Sequence, residues 1–162
     1  LVLLRTFSKA YGLAGVRVGY ALSHPEVADV LNRLRPAFNV NSIAQAGAMA
    51  ALADGAHMRR AVEATMREQA RVTAAIERMG LWSAPSAANF VLVQVGAHAA
   101  RMFQALLERG IIVRPMGGYG LPEYLRISIG LPEHNERLLA ALAELAVPQA
   151  PAVPPAQGPG AR

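Results

Sequence analysis

The chain has no cysteine among its 162 residues, which excludes disulfides, thiolate metal sites and cysteine nucleophiles. It has no run of about eighteen apolar residues, the length a membrane-crossing helix needs. Its first residues, Leu1-Val2-Leu3-Leu4-Arg5, carry neither the basic lead nor the cleavage site of a signal peptide. With no initiator methionine, they are expected to lie within a longer protein. Aromatic residues are few, at 6%, and none interleave with the arginines of the long central helix, where Arg60, Arg67 and Arg71 alternate with Glu63, Glu68 and Glu77. That pattern reads as a solvated face with a Glu63–Arg67 pair, so neither a nucleic-acid surface nor a membrane partner is expected. Lysine is scarcest: of 16 basic residues only Lys9 is not arginine. Lysine differs from arginine in being able to lose its proton and act as an amine nucleophile. Lys9 therefore marks either a site where arginine cannot substitute or one surface lysine that escaped a compositional bias.

What is present suits one ordinary domain length with a sizeable core. The chain is 53% apolar and carries a modest net charge of +5. Residues 1–7 read as a buried strand, 6–15 as a loop of small residues, and 16–22 as a second strand containing Gly19. Ser23 is the expected cap of a helix running to 35, with Glu26 three residues on and Pro25 in its first turn. Its apolar stripe is Val27, Val30, Leu31 and Leu34. Ser42 is the expected cap of a small-residue helix over 43–52. A long helix follows, with Met58, Val62, Met66, Gln69, Val72, Ile76 and Met79 on one face, ended by Gly80. The second half predicts strands at 89–95, 111–113 and 124–129 and helices at 98–109 and 132–145. Pro148, Pro151, Pro154, Pro155 and Pro159 make the tail a candidate for disorder. The expected division is an α/β remnant over 1–45, bridging helices over 46–80, a small α+β domain over 81–147 and the tail over 148–162.

The densest chemistry lies at Thr6, Ser8, Lys9 and Arg17. Two hydroxyls, a glycine-rich loop and a guanidinium make a phosphate clamp. The P-loop pattern fails here, because Ser8 precedes the lysine and Ala10 follows it. Lys9 then either adds charge beside a clamped phosphate or bonds covalently to a phosphorylated aldehyde cofactor, the chemistry of pyridoxal 5′-phosphate. His24, His57, His98 and His134 are scattered without ligand spacing, so they read as surface residues and no metal site is expected.

The run Ser8-Lys9-Ala10-Tyr11-Gly12-Leu13-Ala14-Gly15-Val16-Arg17-Val18-Gly19-Tyr20 resembles the lysine loop of fold-type I, class I/II aminotransferases, and its Gly12–Gly15 wording is similar to the histidinol-phosphate branch of that family. Ser86 to Val93, Gly110 to Pro115 and Leu125 to Gly130 resemble the start and the two arginine-bearing strands of the family's small domain. The resemblance spans about 1–146. It implies a mixed α/β and α+β fold: the end of a large-domain sheet followed by the small C-terminal domain of a fold-type I transferase. It implies pyridoxal 5′-phosphate as cofactor, with Lys9 as the Schiff-base lysine and later the proton shuttle, and Thr6, Ser8 and Arg17 as phosphate contacts. It implies Arg126 as the fork that pairs with a substrate carboxylate, Arg114 as a second anion contact, and Asn39 as a residue near the substrate.

The small-molecule partners so implied are an amino donor, histidinol phosphate, and 2-oxoglutarate, in a cytoplasmic homodimer. The family's cofactor-ring aspartate and stacking aromatic come from sequence upstream of the lysine, and only eight residues precede Lys9 here. The chain by itself is therefore expected to transaminate weakly or not at all, and to leave apolar side chains of 1–22 exposed. Rival readings are another class I/II aminotransferase, a threonine-phosphate decarboxylase, the aminotransferase-like domain of a transcriptional regulator, or a non-catalytic remnant.

Overall fold

The computed structural model describes residues 1–145, so the proline-rich tail over 148–162 lies outside the described residues. The chain divides into two compact units, Leu1–Ala64 and the residues from Thr65 onward.

In the first unit, β1 (Val2–Thr6) and β2 (Gly19–Ser23) pair antiparallel, with Val2 opposite Ser23 and Thr6 opposite Gly19. β1 is exposed along its whole length, with Leu4 70% exposed, so the buried-strand reading fails while the expected exposure of apolar side chains over 1–22 is met along this strand. The reason is topological: among the described residues no further strand pairs with these two, and a two-stranded sheet has little to cover its faces. β2 starts later than predicted because Ala14–Val16 forms a turn of 3₁₀-helix. Gly19 is required there, since a Cβ would stand 2.7 Å from the Arg5 carbonyl oxygen.

Helix α1 spans Pro25–Leu34. Its cap is His24, not Ser23, which stays in the β ladder opposite Val2; His24 Nδ1 accepts the Glu26 N–H at 3.4 Å. The expected stripe of Val27, Val30, Leu31 and Leu34 is there, but all four are exposed. Helix α2 spans Ser42–Ala53 and is capped by Asn41, not Ser42. Asn41 Oδ1 takes the Ala44 N–H at 2.8 Å. Helix α3 spans Gly55–Arg78 and buries Val72, Ala75 and Ile76. Only the later part of the expected stripe is core, and Met66 faces solvent. Gly80 takes a positive φ of 76° and ends the helix run.

The second unit holds a four-stranded antiparallel sheet in the order β3 (Trp82–Ser83), β4 (Phe90–Gln94), β6 (Tyr124–Ser128) and β5 (Arg114–Pro115). Period-two alternation sends Val91 and Val93 of β4 and Leu125 and Ile127 of β6 into the core. There they meet Val72 and Ile76 of α3, Met102 and Leu106 of α4 (Ala99–Glu108), and Leu138 and Leu142 of α5 (Pro132–Leu145). The predicted strand at 111–113 does not form. Gly110, at φ 73°, closes α4, and the Ile111 N–H goes back to the Leu106 carbonyl at 2.9 Å, so strand pairing begins only at Arg114.

A polar latch fixes the connection from β6 to α5. Asn135 is buried; its Oδ1 accepts the Gly130 N–H at 2.9 Å, and its Nδ2 donates to the Gly130 carbonyl at 3.0 Å and to Glu68 Oε2 at 2.7 Å. The expected Glu63–Arg67 pair is not among the ion pairs of the described residues; Glu68 pairs with Arg71 instead, and Arg71 also donates to the Pro132 carbonyl at 3.2 Å. Among the described residues no helix is long and apolar enough to cross a membrane.

Candidate functional site

The last residue of β1, Thr6, and the loop that follows it, with Ser8, Lys9 and Arg17, carry all four residues of the candidate phosphate and lysine site. The ladder continues one step past the strands, with the Phe7 N–H donating to the Val18 carbonyl at 3.2 Å. Ser8 and Arg17 are therefore the next residues on either side of one hairpin end. The Ser8 N–H donates to Thr6 Oγ1 at 3.1 Å, which ties the two hydroxyl residues together. Gly12 N–H closes a turn onto the Lys9 carbonyl at 2.9 Å, and the Lys9 side chain is exposed. Arg17 has φ 60° and ψ 64°, a left-handed backbone that non-glycine residues seldom adopt. It caps the 3₁₀ turn, and its Nη1 donates to the Ala14 carbonyl at 2.8 Å, leaving the other guanidinium N–H groups available. Such strain at a charged residue is common at ligand-holding positions. The donor set, two hydroxyls and a guanidinium beside a primary amine, fits the phosphate and aldehyde ends of pyridoxal 5′-phosphate.

The two sheet arginines form a second group in the other unit. Arg114 and Arg126 stand directly opposite each other in the β5–β6 pair, so both side chains leave the face away from Leu125 and Ile127. The Arg126 guanidinium carbon lies 5.1 Å from the Phe90 ring centroid, and its buried Nε has no hydrogen-bond partner among the described residues. Arg114 lies 5.5 Å from the Tyr119 centroid. Neither arginine takes part in the ion pairs of the described residues. Two like charges facing each other across a sheet repel, and a carboxylate or phosphate between them turns that repulsion into attraction.

Asn39 is exposed and its Oδ1 accepts from Arg35 Nη1 at 3.3 Å, so it is engaged within its own segment. Asn41 was missed by the sequence reading. Besides capping α2, its Nδ2 reaches the Val16 carbonyl at 3.5 Å, next to Arg17. An asparagine ahead of a small-residue run is the cap signal that identifies it. Phe90 and Tyr119, the rings under the two arginines, carry no sequence signal of that role beyond being aromatic. The four histidines are exposed, as expected, and His24 serves as a cap.

The model of the aminotransferase class I and II family matches residues 1–142. The chain is similar to histidinol-phosphate aminotransferase 2 of Ralstonia nicotianae, at 56% identity over 155 residues, spanning 94% of this chain and 41% of that protein. Its fold is similar to the crystal structure of histidinol-phosphate aminotransferase from Sinorhizobium meliloti in complex with pyridoxal-5′-phosphate, with a TM-score of 0.82 at 36% identity over 90% of this chain and 41% of that one. It is also similar to L-threonine-O-3-phosphate decarboxylase from Porphyromonas gingivalis, with a TM-score of 0.79 at 26% identity over 90% of this chain and 46% of that one. The chain thus spans 41% of the length of the curated relative quoted.

Proposed function

The chain belongs to the aminotransferase class I and II family, and from that premise we propose that it is the C-terminal part of a pyridoxal-phosphate-dependent enzyme that passes the amino group between histidinol phosphate and 2-oxoglutarate, a step of histidine biosynthesis. The observation that carries the reading is the placement of Thr6, Ser8, Lys9 and Arg17 at one end of the β1–β2 hairpin, with Ser8 and Arg17 flanking its last backbone rung. When bound, the cofactor supplies an electron sink for the carbon that loses its proton. The chain's own residues do the rest. The Thr6 and Ser8 hydroxyls and the Arg17 guanidinium bind the phosphate dianion by charge-assisted hydrogen bonds. Lys9 Nζ would hold the cofactor aldehyde and, as a free amine, would carry the proton to and from the substrate carbon.

Arg126 and Arg114 bind the substrate's anionic end. One guanidinium fork suits the carboxylate of 2-oxoglutarate, and the pair of like charges suits the phosphate of histidinol phosphate. The Phe90 ring, with its centroid 5.1 Å from the guanidinium carbon, adds a cation–π contact that helps to hold Arg126 in place for its partner. Asn39 lies near the substrate in this reading. Residues 1–45 belong to the cofactor-binding large domain, 46–80 bridge, and 81–147 form the small domain. The cofactor-ring carboxylate and stacking aromatic come from sequence upstream of Leu1, and the complete enzyme is a cytoplasmic homodimer.

A second reading, phosphothreonine decarboxylation, is supported by the fold likeness at 26% identity. The 56% identity to an aminotransferase favours the first. Kinetics of the full-length enzyme with histidinol phosphate and 2-oxoglutarate, against threonine phosphate, tests the choice. Borohydride reduction followed by peptide mass spectrometry tests the site: the cofactor is expected on Lys9, and Lys9→Ala is expected to lose it and to lower turnover by about 10²–10⁴-fold. A cofactor fixed on no residue of the full-length protein overturns the reading.

A further inference from the structure

Across residues 1–43 one side chain is buried, and it is Phe7, 4% exposed, two residues before Lys9. Its ring packs 4.9 Å from Tyr11 and 6.0 Å from Tyr20, both tilted. Its backbone is held at both ends: the N–H donates to the Val18 carbonyl at 3.2 Å, and the carbonyl accepts the Leu13 N–H at 2.9 Å. Phe7 thus ties the start of the loop to its middle, at Tyr11 and Leu13, and to its far side, at Val18 and Tyr20. Leu13 in turn seats against α2, where its methyls lie 3.8 and 4.0 Å from the Cβ that Gly47 lacks. Among the described residues Lys9 itself is hydrogen-bonded through its carbonyl, in the turn closed by Gly12. The place of the amine is therefore set by how firmly the loop behind it is held.

We infer that Phe7 is a positioning residue for the reaction: its buried ring and doubly bonded backbone hold the loop in the conformation that keeps Lys9 and Arg17 at the same hairpin end. The inference deepens the proposed role of Lys9 and rests on it. The contacts of the ring are with Tyr11 and Tyr20, so the role inferred for it is through loop geometry. A misplacement of about 1 Å at a reacting group is enough to cost about 10²-fold in rate.

The test uses the full-length enzyme with Phe7→Ala and Phe7→Leu. Amide hydrogen exchange, measured without cofactor, is expected to quicken about tenfold or more at Leu13 in Phe7→Ala while amides of β4 and β6 stay as they were. With cofactor, the pH midpoint of the lysine-bound cofactor's absorbance is expected to move, and kcat to fall about 10²-fold with little change in KM. Phe7→Leu, which keeps an apolar side chain in the pocket, is expected to recover most of each effect. Unchanged Leu13 exchange and an unchanged midpoint in Phe7→Ala overturn the inference. So does exchange that quickens equally in β4 and β6 with kcat per folded molecule intact, because that is a merely structural role. If Phe7→Ala does not fold, Phe7→Leu decides: a smaller shift at Leu13 and in the midpoint supports the inference, and none overturns it. No cofactor on Lys9 in the unsubstituted enzyme sinks the reading of Lys9 and the catalytic meaning of Phe7 together, and the exchange arm separates that failure from a loop that Phe7 never held.

Discussion

Helices α1 and α4 have equally clear apolar stripes, yet they end up in opposite surroundings. Met102 and Leu106 of α4 are buried in the core with Val72, Ile76, Leu125 and Leu142. Val27, Val30, Leu31 and Leu34 of α1 are exposed, and through its first sixty-four residues the buried side chains are Phe7, Ala44 and Ala48 alone. The contrast separates two things that amphipathic patterning usually merges. A stripe states which face of an element needs cover; it does not state that the cover lies in the same stretch of chain. The unit from Thr65 onward closes its own core, whereas the unit with the lysine loop is stapled at one buried ring and otherwise offers apolar faces.

The largest expected effect tests that contrast directly. Trp82 is the only tryptophan and lies in the second unit, so its fluorescence follows that unit in a urea titration. Leu125→Ala, at a fully buried position on β6, is expected to lower its stability by about 2–5 kcal/mol. Leu4→Ala, on the exposed β1, is expected to change it by less than about 0.5 kcal/mol. Equal losses from the two substitutions would mean that the lysine-loop unit is part of the same cooperative core, and the contrast would fail.

The latch sharpens the comparison on the polar side. Asn135→Ala strands the Gly130 N–H and carbonyl, which one side-chain amide now satisfies, and takes a donor from Glu68. The expected loss is about 1–3 kcal/mol in the same Trp82 titration. No measurable loss would show that water replaces the amide without penalty, and that the β6–α5 turn is held by the apolar core alone.

Much of this was legible beforehand. Strand alternation located β4 and β6, helical spacing located α3, α4 and α5, and the lone lysine in its small-residue loop located the candidate site. Two of the misreadings share a cause: a local signal was outbid by a neighbouring hydrogen bond. Ser23 has the chemistry of a cap, but its residue is taken by the β ladder, so His24 caps instead. Ile111 to Val113 have strand composition, but the Ile111 N–H is taken by the end of α4. The left-handed backbone of Arg17 and the facing of Arg114 on Arg126 could not be read at all. The first depends on a turn without the glycine that usually marks it, and the second on strand register, which shifts every side chain to the other face with a slip of one residue.

The smallest expected effect concerns acid. The Arg71 hydrogen bonds first, and the Asn135 amide second, hold the Glu68 carboxyl below the usual carboxylate range. A group whose pKa is lower in the folded state than in the unfolded chain adds stability above the unfolded value, and that addition is lost as pH falls through the folded value. The second unit is therefore expected to weaken as pH drops below about 4.3, the ordinary glutamate value, because protonating Glu68 breaks its pairing with Arg71, which stays charged. Glu68→Gln keeps the shape and an acceptor oxygen but cannot ionise. In Trp82-monitored urea titrations from neutral to acid pH, the gap in stability between parent and Glu68→Gln is expected to narrow as pH falls. A gap that stays constant across that range would show that the carboxylate's charge contributes nothing to the latch and that its geometry alone holds the turn.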